Sequence, residues 1–454
     1  MLSDEADHSG GAVSTALCFA AFLAAMVVCV VLNLSGLWAL CFGIALFGIL
    51  GLCRGVSFKD LCRYAWSEGK KLTPLLLIFA LIGTIMGLWR SSGTIAWFIY
   101  YGVQVIRPRL FILVAFLLTC ILSYALGTSF GVVGTAGIIL MALARSGGVS
   151  VPVAAGTVLA GAFFGDRCSP ASSSALLVAA LTETKQYDNI KRMHKTGLLP
   201  WGLSLAFYAF LSWRNPLSVM DDALLTEMRG AFSLTFWAVI PALLMLLLPL
   251  CKVNIRYAML TGSVAAFLVS VFCQHMSVGE LLLTALRGYK APDGALQEIL
   301  SGGGVVSMLE CSVLVMLTGL LGGLLGGLHV FDAVRKHLER VADRAGLFPA
   351  TLLTSTAAAA VFCNQSIAVM MGAAMLHDTY GKRGASDEEL AIDLENSGIV
   401  TAALIPWSIA NSIPLAMMGA SANATPYAAL LYLIPICYLI TKRWFYPKKE
   451  VNGL

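Results

Sequence analysis

Long apolar stretches recur along the whole chain and alternate with short polar segments. The clearest apolar runs are 12–33, 36–53, 72–89, 110–126, 232–251, 257–274, 305–328, 399–420 and 426–441. Several approach the ~20 residues that an α-helix needs to cross the bilayer core, and the shorter ones fit where the bilayer thins or helices pair. The pattern predicts an all-α polytopic membrane protein with roughly 10–13 membrane segments.

Composition supports the same class. Apolar residues make up 58% of the 454 residues, charged residues make up 12%, and the mean hydropathy is +0.83, which lies outside the balance of soluble domains. The net charge of +5 is spread through the loops, so it bears on membrane orientation rather than on nucleic acid. We therefore expect a multi-pass protein of the cell membrane.

Neither cysteine nor histidine forms a recognisable metal or disulfide pattern. The twelve cysteines lie singly and the six histidines are scattered, so small buried thiols are expected and a metal site is not. We expect no resident cofactor. The expected partners are the lipid bilayer and a small cation or small-molecule substrate; a homodimer is left open.

The two halves of the chain follow one plan. In each half two apolar runs precede a Ser-x-x-acid segment, at Ser57 to Asp60 and at Ser277 to Glu280. A glycine-rich apolar segment follows, and then two apolar stretches that small and polar residues interrupt. The interruptions lie at 127–131, 165–170, 363–366 and 406–414. Matching interruptions in two halves predict a secondary transporter with its substrate site between two structural repeats.

This plan divides the chain into five parts. They are a cytoplasmic N-terminal tail (1–11), a first transmembrane repeat (12–213), a polar linker (214–231), a second transmembrane repeat (232–443) and a cytoplasmic C-terminal tail (444–454). Loop 54–71 carries five lysines and arginines, whereas its counterpart 275–300 carries two. Because positively charged loops stay in the cytoplasm, this difference favours inverted repeats with broken or re-entrant helices.

An acid and a base lie side by side inside one of these apolar stretches. Asp166, with Arg167 as its expected charge partner, is followed by a hydroxyl-rich segment that Pro170 interrupts. A charge at mid-bilayer depth costs at least ~2.5–3.5 kcal/mol, and unwound backbone persists there only against protein or water. The combination is typical of a site that handles ions. Asp166 could instead merely pair with Arg167 or cap a helix at the water interface, although neighbours on a regular helix point about 100° apart.

The interruptions and the apolar runs supply further candidates. For ion or substrate binding these are Thr128, Ser129, Thr135, Ser169, Ser172, Ser173, Asn364, Gln365, Ser408 and Asn411, and for proton coupling Asp166, Glu395 and Glu310. The hydroxyl groups could instead bond only to helix carbonyls. Glu395 could lie on a solvated face, because the nearby stretch 387–389 is polar.

The segment from Ala125 to Trp201 resembles the NhaC family of sodium/proton antiporters. The family's Gly-Thr-Ser-x-Gly-x-x-Gly-Thr element stands at 127–135, and its Gly-Ala-x-Phe-Gly-Asp-[Lys/Arg]-x-Ser-Pro element stands at 161–170. Further similar elements stand at 92–102, 188–194, 364–365, 394–398 and 404–407. The resemblance covers about 72–440 and implies Na⁺/H⁺ antiport through a crevice that these elements line.

One stretch departs from the family pattern. Where the family usually continues Asp-Thr-Thr-Asn after Ser-Pro-x-Ser, this chain has Ser173, Ser174, Ala175 and Leu176. A carboxylate is lost, so Asp166 must supply the negative charge that a hard cation prefers. The alternative is an ion- or proton-coupled exchanger or symporter of a small organic acid or amino acid, which a hydroxyl-rich site would also suit.

Enzyme and channel functions fit the sequence less well. The stretch 127–131 matches the G-x-S-x-G pattern of hydrolases, but it follows an apolar run and its nearest downstream histidine is His194. Gly165-Asp166 and Tyr187-Asp188 partly match the two aspartate motifs of intramembrane aspartyl proteases, but the two acids stand in the reverse order and the pattern is incomplete. Duplicated, broken helices also suit alternating access better than a continuous pore. We therefore expect a transporter in which Asp166 binds either a proton or a complex of cation and substrate.

Overall fold

The structure is a computed structural model that describes residues 2–32, 34–70, 73–105, 107–217, 222–251, 253–291, 295–328 and 344–446. The first half contains α1 (Leu2–Val31), α2 (Leu37–Cys53), α3 (Phe58–Gly69), α4 (Thr73–Ser91), α5 (Thr94–Val105), α6 (Phe111–Leu126), α7 (Ser129–Val132), α8 (Ile138–Ser146), α9 (Val151–Cys168), α10 (Ser173–Leu181) and α11 (Gln186–Arg214). The remainder contains α12 (Asp222–Ala231), α13 (Ile240–Leu250), α14 (Ile255–Phe272), α15 (Val278–Arg287), α16 (Ala295–Leu300), α17 (Leu309–Gly327), α18 (Leu347–Phe362), α19 (Gln365–Lys382), α20 (Asp387–Glu395), α21 (Gly398–Thr401), α22 (Ile409–Met417) and α23 (Ala429–Phe445).

The predicted all-α class is confirmed. Over the described ranges no strand occurs, and the one β-type contact is an isolated bridge between Tyr289 and Gly302. Residues 2–11 of the predicted N-terminal tail continue α1 as helix. Residues 218–221 of the predicted linker and 447–454 of the predicted C-terminal tail lie outside the described residues.

Several helices are long and apolar enough to span a membrane. Three meet this criterion alone: Pro108–Leu126, Ser129–Ser146 and Val305–Gly327. Three bent pairs meet it together, Leu76–Ser91 with Thr94–Gly102, Leu225–Ala231 with Phe236–Leu248, and Asp387–Leu404 with Ile409–Met417. Shorter apolar helices are Leu17–Cys29, Leu37–Cys53, Arg256–Phe272 and Leu347–Phe362. Among the described residues there are thus three spanning helices, or up to six if each bent pair is one span, and the predicted 10–13 segments stay a prediction.

The outer surface suits a lipid environment. Trp38, Phe272 and Ile440 are 73%, 72% and 70% exposed, which a water-soluble surface would rarely tolerate in such number. The interior holds equally large side chains, among them the fully buried Trp89 and Tyr208. The protein is therefore apolar both on its outer surface and in its interior, as expected of a polytopic membrane protein.

The Ser-x-x-acid segments begin amphipathic helices. Ser57 and Asp60 bond to each other at the start of α3, and Ser277 and Glu280 form a reciprocal capping box at the start of α15. Both helices bury the leucine that follows the acid, Leu61 and Leu281. Reciprocal capping of this kind satisfies backbone N–H groups that a helix start would otherwise leave open.

Each amphipathic helix packs on the glycine-rich helix of the other half. On α17, a Cβ at Gly323 would overlap the backbone of Tyr64 and Ala65 in α3. On α4, a Cβ at Gly87 would overlap the carbonyl oxygen of Thr284 in α15. The glycine pattern therefore records close helix approach, as small residues do at membrane helix interfaces.

We expect Gly323→Ala to destabilise the protein and Gly326→Ala on the same helix to leave its stability unchanged or slightly higher. A Cβ at Gly323 would meet backbone atoms, whereas nothing lies within 4 Å of a Cβ at Gly326. Overpacking typically costs about 1–3 kcal/mol, while helical Gly→Ala gains up to about 1 kcal/mol. Thermal unfolding of the purified variants in detergent measures both effects. Equal melting temperatures for the two variants would contradict the close contact between α3 and α17.

Candidate functional site

The first predicted interruption separates α6 from α7. Gly127 ends α6 in the left-handed region, with φ 67° and ψ 23°, and Thr128 is extended, with φ −147° and ψ 124°. The Thr128 side chain accepts a hydrogen bond from the N–H of Gly131 at 3.4 Å and so caps α7. A π-helical turn, Val133–Gly137, follows α7, a feature that is frequent at functional sites.

The second interruption separates α9 from α10. Its hydroxyl groups bond to backbone: Ser169 donates to the carbonyl oxygen of Tyr124 at 2.6 Å, and Ser172 donates to the carbonyl oxygen of Asp166. Ser172 also caps α10 by accepting from two N–H groups. Gly127 lies so close to Ala171 that a Cβ there would overlap its backbone. The two first-half breaks therefore meet.

The second half repeats these conformations. Cys363 is left-handed, with φ 54° and ψ 21°, and Asn364 is extended, with φ −139° and ψ 126°, close to the values at Gly127 and Thr128. Asn364 caps α19 by accepting from the N–H groups of Ser366 and Ile367. These matching backbone angles accord with the predicted repeats, whose inverted orientation stays a prediction.

The second break of this half also resembles its first-half counterpart. Ser408 is extended, with φ −69° and ψ 144°, against −71° and 125° at Ser172, and each caps the helix that follows. The N–H of Ile409 donates to the carbonyl oxygen of Cys363 at 2.8 Å. The two second-half breaks therefore meet as well.

Asp166 connects the two halves. Its Oδ2 accepts hydrogen bonds from Ser174 Oγ at 3.2 Å and from Gln365 Nε2 at 2.9 Å, and those two donors lie 3.0 Å apart. Asp166 is 6% exposed, and the adjoining Ser173 is exposed. The last turn of α9, the start of α10 and the start of α19 thus converge on one buried carboxylate close to the surface.

The predicted charge partner of Asp166 points elsewhere. Arg167 is buried and donates to Asn396 Oδ1 at 2.6 and 3.2 Å, to Thr196 Oγ1 at 3.1 Å and to the carbonyl oxygen of Met193 at 3.1 Å. The described residues contain no ion pair between Arg167 and Asp166. The physical reason is that α9 stays helical through both residues, so adjacent side chains point in different directions. Asp166 points toward α10, whereas Arg167 points toward α11 and the end of α20.

Glu395 is fully buried at the end of α20. Neither carboxylate oxygen has a hydrogen-bond partner among the described residues. Its neighbour in sequence, Asn396, accepts from Arg167 at 2.6 Å, so Glu395 adjoins the polar region that contains Arg167. Because it is buried, it does not lie on a solvated face.

The remaining hydroxyl candidates divide between structural and open positions. Thr135 donates to the carbonyl oxygens of Gly131 and Val132, at 2.8 and 3.1 Å, which is back-bonding within a helix. Ser129 is buried at the start of α7, whereas Ser173 is exposed at the start of α10.

Two further candidates lie at a different place. Asn411 donates to the carbonyl oxygen of Ala403 at 2.6 Å and to Thr425 Oγ1 at 2.9 Å. Glu310 is exposed in the first turn of α17 and accepts from Ser35 Oγ at 2.7 Å. Both line a cleft of ≈ 340 Å³ beside α22. Neither hydrogen-bonds to Asp166 within the described ranges.

Sequence reasoning missed two contributors to this region. In the sequence Ser174 only marks a departure from the family pattern, yet it donates to Asp166. Asn396 lies within a stretch similar to the family, and in the structure it accepts from Arg167. Ser172 is the residue from which the contact of Ser174 could have been predicted. Serine favours the N-cap position, and a helix that begins after Ser172 places Ser174 in its first turn, facing the end of α9.

A second buried acid on α20 was also missed. Asp393 accepts from Tyr380 Oη at 2.5 Å, from Tyr438 Oη at 2.9 Å and from Lys442, which also pairs with Glu389 at 2.8 Å. These contacts tie α19, α20 and α23 together. Because Asp393 is fully partnered, its network anchors the helix that carries Glu395 and is not an open binding site.

Known proteins of similar sequence agree with this architecture. The Na⁺/H⁺ antiporter family model matches residues 10–213 and 176–442. The chain is 28% identical over 368 residues to a malate-2H⁺/Na⁺-lactate antiporter of Bacillus subtilis, covering 79% of this chain and 78% of that protein. It is 25% identical over 400 residues to the Na⁺/H⁺ antiporter NhaC of Alkalihalophilus pseudofirmus, covering 86% of each.

A third relative broadens the range of substrates named. The chain is 24% identical over 427 residues to the arginine/ornithine antiporter ArcD of Halobacterium salinarum, covering 88% of this chain and 87% of that protein. All three relatives carry names of antiporters and not of enzymes. Because the family model covers nearly the whole chain, the predicted family is confirmed: this protein belongs to the Na⁺/H⁺ antiporter family.

Proposed function

We propose that the protein exchanges Na⁺ for H⁺ across the cell membrane, with Asp166 as the residue at which the two ions compete. The observation that carries this proposal is the Asp166 carboxylate, which is buried where the helix breaks converge and is held by two neutral donors, Ser174 and Gln365. A carboxylate without a contact cation can exchange a proton for Na⁺, whereas one locked in an ion pair could not do so readily.

The helix breaks supply the other ligands that Na⁺ requires. A hard cation prefers several oxygen atoms. At the breaks the carbonyl oxygens of Tyr124 and Asp166 accept from Ser169 and Ser172, and each keeps a second lone pair that a cation could use. Discontinuous membrane helices commonly form ion sites in this way. Ser173 and Ser174 add hydroxyl oxygens at the exposed side of the site.

Alternating access follows from the position of Asp166 between halves. The carboxylate belongs to α9 and one of its donors, Gln365, belongs to α19. A relative movement of the two halves would break or form this contact and so change the side from which the site is reached. Exchange then requires either a proton or Na⁺ to neutralise Asp166 during the movement, because an uncompensated charge is costly within the membrane.

A second candidate is the coupled exchange of a small organic acid or amino acid. It is supported by the hydroxyl groups of Ser173 and Ser174 beside Asp166 and by the names of two relatives. It is less favoured, because the buried guanidinium of Arg167, which would attract a substrate carboxylate, already donates to Asn396, Thr196 and a backbone carbonyl.

We expect Asp166→Asn to reduce Na⁺-driven proton flux in proteoliposomes by about tenfold or more, because an amide binds neither a proton nor a cation as a carboxylate does. Asp188→Asn is the matched control: Asp188 pairs with Lys191 at 3.3 Å on an exposed face, so its flux should stay within about twofold of wild type.

Unchanged flux in Asp166→Asn would remove this residue from the transport site. If the wild-type protein gives no flux with Na⁺ but exchanges a labelled carboxylic or amino acid by counterflow, the second candidate replaces the first.

Gln365 and Asn364 should differ in function although they are adjacent amides. Gln365→Leu removes a donor to Asp166, so we expect the apparent affinity for Na⁺ to fall about fivefold or more, as for a hydrogen bond to a charged group. Asn364→Ser keeps a helix cap of similar strength, so the affinity should change less than about twofold. Titration of Na⁺-dependent flux at fixed pH measures both. A larger loss in Asn364→Ser than in Gln365→Leu would contradict the assigned roles.

A further inference from the structure

Arg90 is a buried cation that the proposed mechanism does not use. It lies in the last turn of α4, directly before the break that separates α4 from α5, and it is 8% exposed. Within the described part of the chain no carboxylate pairs with it. A guanidinium stays protonated under all ordinary conditions, and a buried charge without a compensating partner is strongly unfavourable.

Only one of the three nitrogen atoms of this guanidinium has a hydrogen-bond partner among the described residues. Nη1 donates to the carbonyl oxygen of Met86 at 2.7 Å, one turn earlier on the same helix. Nε is buried and unpaired, and Nη2 has no partner either. The Nε–H bond and one N–H bond of Nη2 lie parallel along one edge of the guanidinium plane. The edge that takes two oxygen atoms side by side is therefore open.

The position of Arg90 at the end of a helix does not account for this open edge. A cation in the last turn is favoured by the helix dipole, and that effect requires only charge. The N–H groups of the open edge gain nothing from it, and a buried donor without a partner remains unfavourable. The geometry therefore calls for an acceptor in addition to the helix end.

Arg167 shows how the same protein satisfies a buried arginine. There Nε and Nη2 both donate to Asn396 Oδ1, at 3.2 and 2.6 Å. The corresponding edge of Arg90 bonds to no oxygen atom of the described residues. An oxygen-bearing group from outside the chain can therefore take the place at Arg90 that Asn396 takes at Arg167.

A glycine-rich turn leaves room beside the open edge. Gly302 and Gly303 have positive φ, at 120° and 80°, and Gly303 lies so close to Met86 and Gly87 that a Cβ there would overlap their backbone. Gly302 is exposed. A Cβ on Gly302 would lie 4.0 Å from Arg90 Nε and, apart from its own chain neighbours, no other described residue reaches within 4 Å of that position. The turn thus passes beside the open edge without filling it.

We propose that Arg90 binds the carboxylate group of a small organic anion at this break. A carboxylate presents two oxygen atoms in one plane, which match the two parallel N–H bonds of the open edge. Its single negative charge balances one guanidinium, whereas a phosphate monoester carries close to two charges at neutral pH. The inference goes beyond ion exchange at Asp166 and does not depend on it, since Arg90 and Asp166 share no hydrogen-bond partner.

The binding test measures thermal unfolding of the purified protein in detergent while the concentration of an anion is raised. The probes are choline salts of acetate, lactate, dimethyl phosphate and chloride, so that no Na⁺ is added. We expect acetate and lactate to raise the melting temperature of the wild-type protein with saturation, because a ligand that binds only the folded state stabilises it.

Two results of this titration would overturn the proposal. One is the absence of a saturable rise with either carboxylate. The other is an equal rise with chloride or with dimethyl phosphate, a singly charged phosphodiester like that of a lipid headgroup, because the site would then not select a carboxylate.

Variants separate recognition by the guanidinium edge from the effect of charge alone. Arg90→Lys keeps the charge at the end of α4 but has no parallel pair of N–H bonds, so we expect the apparent affinity for lactate to fall about tenfold or more. Arg90→Gln should lose the saturable rise altogether. Wild-type affinity in Arg90→Lys would overturn the proposed contact, as would a saturable rise in Arg90→Gln.

Arg287→Gln is the matched control. Arg287 is exposed in the last turn of α15 and adjoins the same glycine-rich turn, since a Cβ at Gly304 would overlap its backbone. Loss of this exposed charge should change the apparent affinity for lactate by less than about twofold. A loss as large as that in Arg90→Lys would overturn the assignment of the carboxylate to Arg90.

Hydrogen exchange of the wild-type protein decides the site if the Arg90 variants do not fold. Measured with and without lactate, it reports which backbone amides a bound ligand protects. We expect slower exchange in the turn 301–304 and in the last turn of α4. No change, or slower exchange only in segments that do not adjoin Arg90, would overturn the inference. None of these measurements uses ion flux, so failure of the proposed Na⁺/H⁺ exchange leaves their outcome unaffected.

Discussion

The cost of keeping an ionisable group inside an apolar protein governs the architecture described above. Asp166 is 6% exposed, and the groups that hold it come from two separate segments, Ser174 at the start of α10 and Gln365 at the start of α19. Those donors can reach the carboxylate only because the helices before them end. The breaks are thus the condition for satisfying a buried acid without fixing it to a cation.

The breaks themselves depend on a small set of local devices. Gly127 and Cys363 adopt left-handed backbone, Thr128 and Asn364 cap the helices that follow, and Ser172 and Ser408 cap the second pair. Each device satisfies backbone groups that water would satisfy in a soluble protein. The side chains of Ser169, Ser172, Asn364 and Ser408 therefore serve the backbone first, which leaves Asp166, Ser174, Gln365 and Glu395 as the groups with chemistry to offer a transported ion.

Much of this could be predicted from the sequence, and the reasons are physical. Breaks are visible because glycine, proline and polar residues interrupt apolar runs, and Asp166 and Gln365 stand out because buried polar groups are rare there. The direction of Arg167 could not be predicted, since it depends on where α11 and α20 place Thr196 and Asn396. Glu310 and Asn411 are also polar residues within apolar runs, yet they line a cleft beside α22 and do not hydrogen-bond to Asp166. The sequence shows that a polar residue interrupts an apolar run, but not which helices surround it.

The packing of α3 on α17 and of α15 on α4 has a consequence for biosynthesis. The glycine face of α4, which ends at Ser91, is covered by a helix that begins only at Val278. During translation this face of α4 stays uncovered until the chain has been synthesised and inserted as far as α15. Each half packs a glycine-rich helix against a helix of the other half, so the two halves must fold together. A chain truncated at the linker would lack α15 and would leave this face of α4 uncovered.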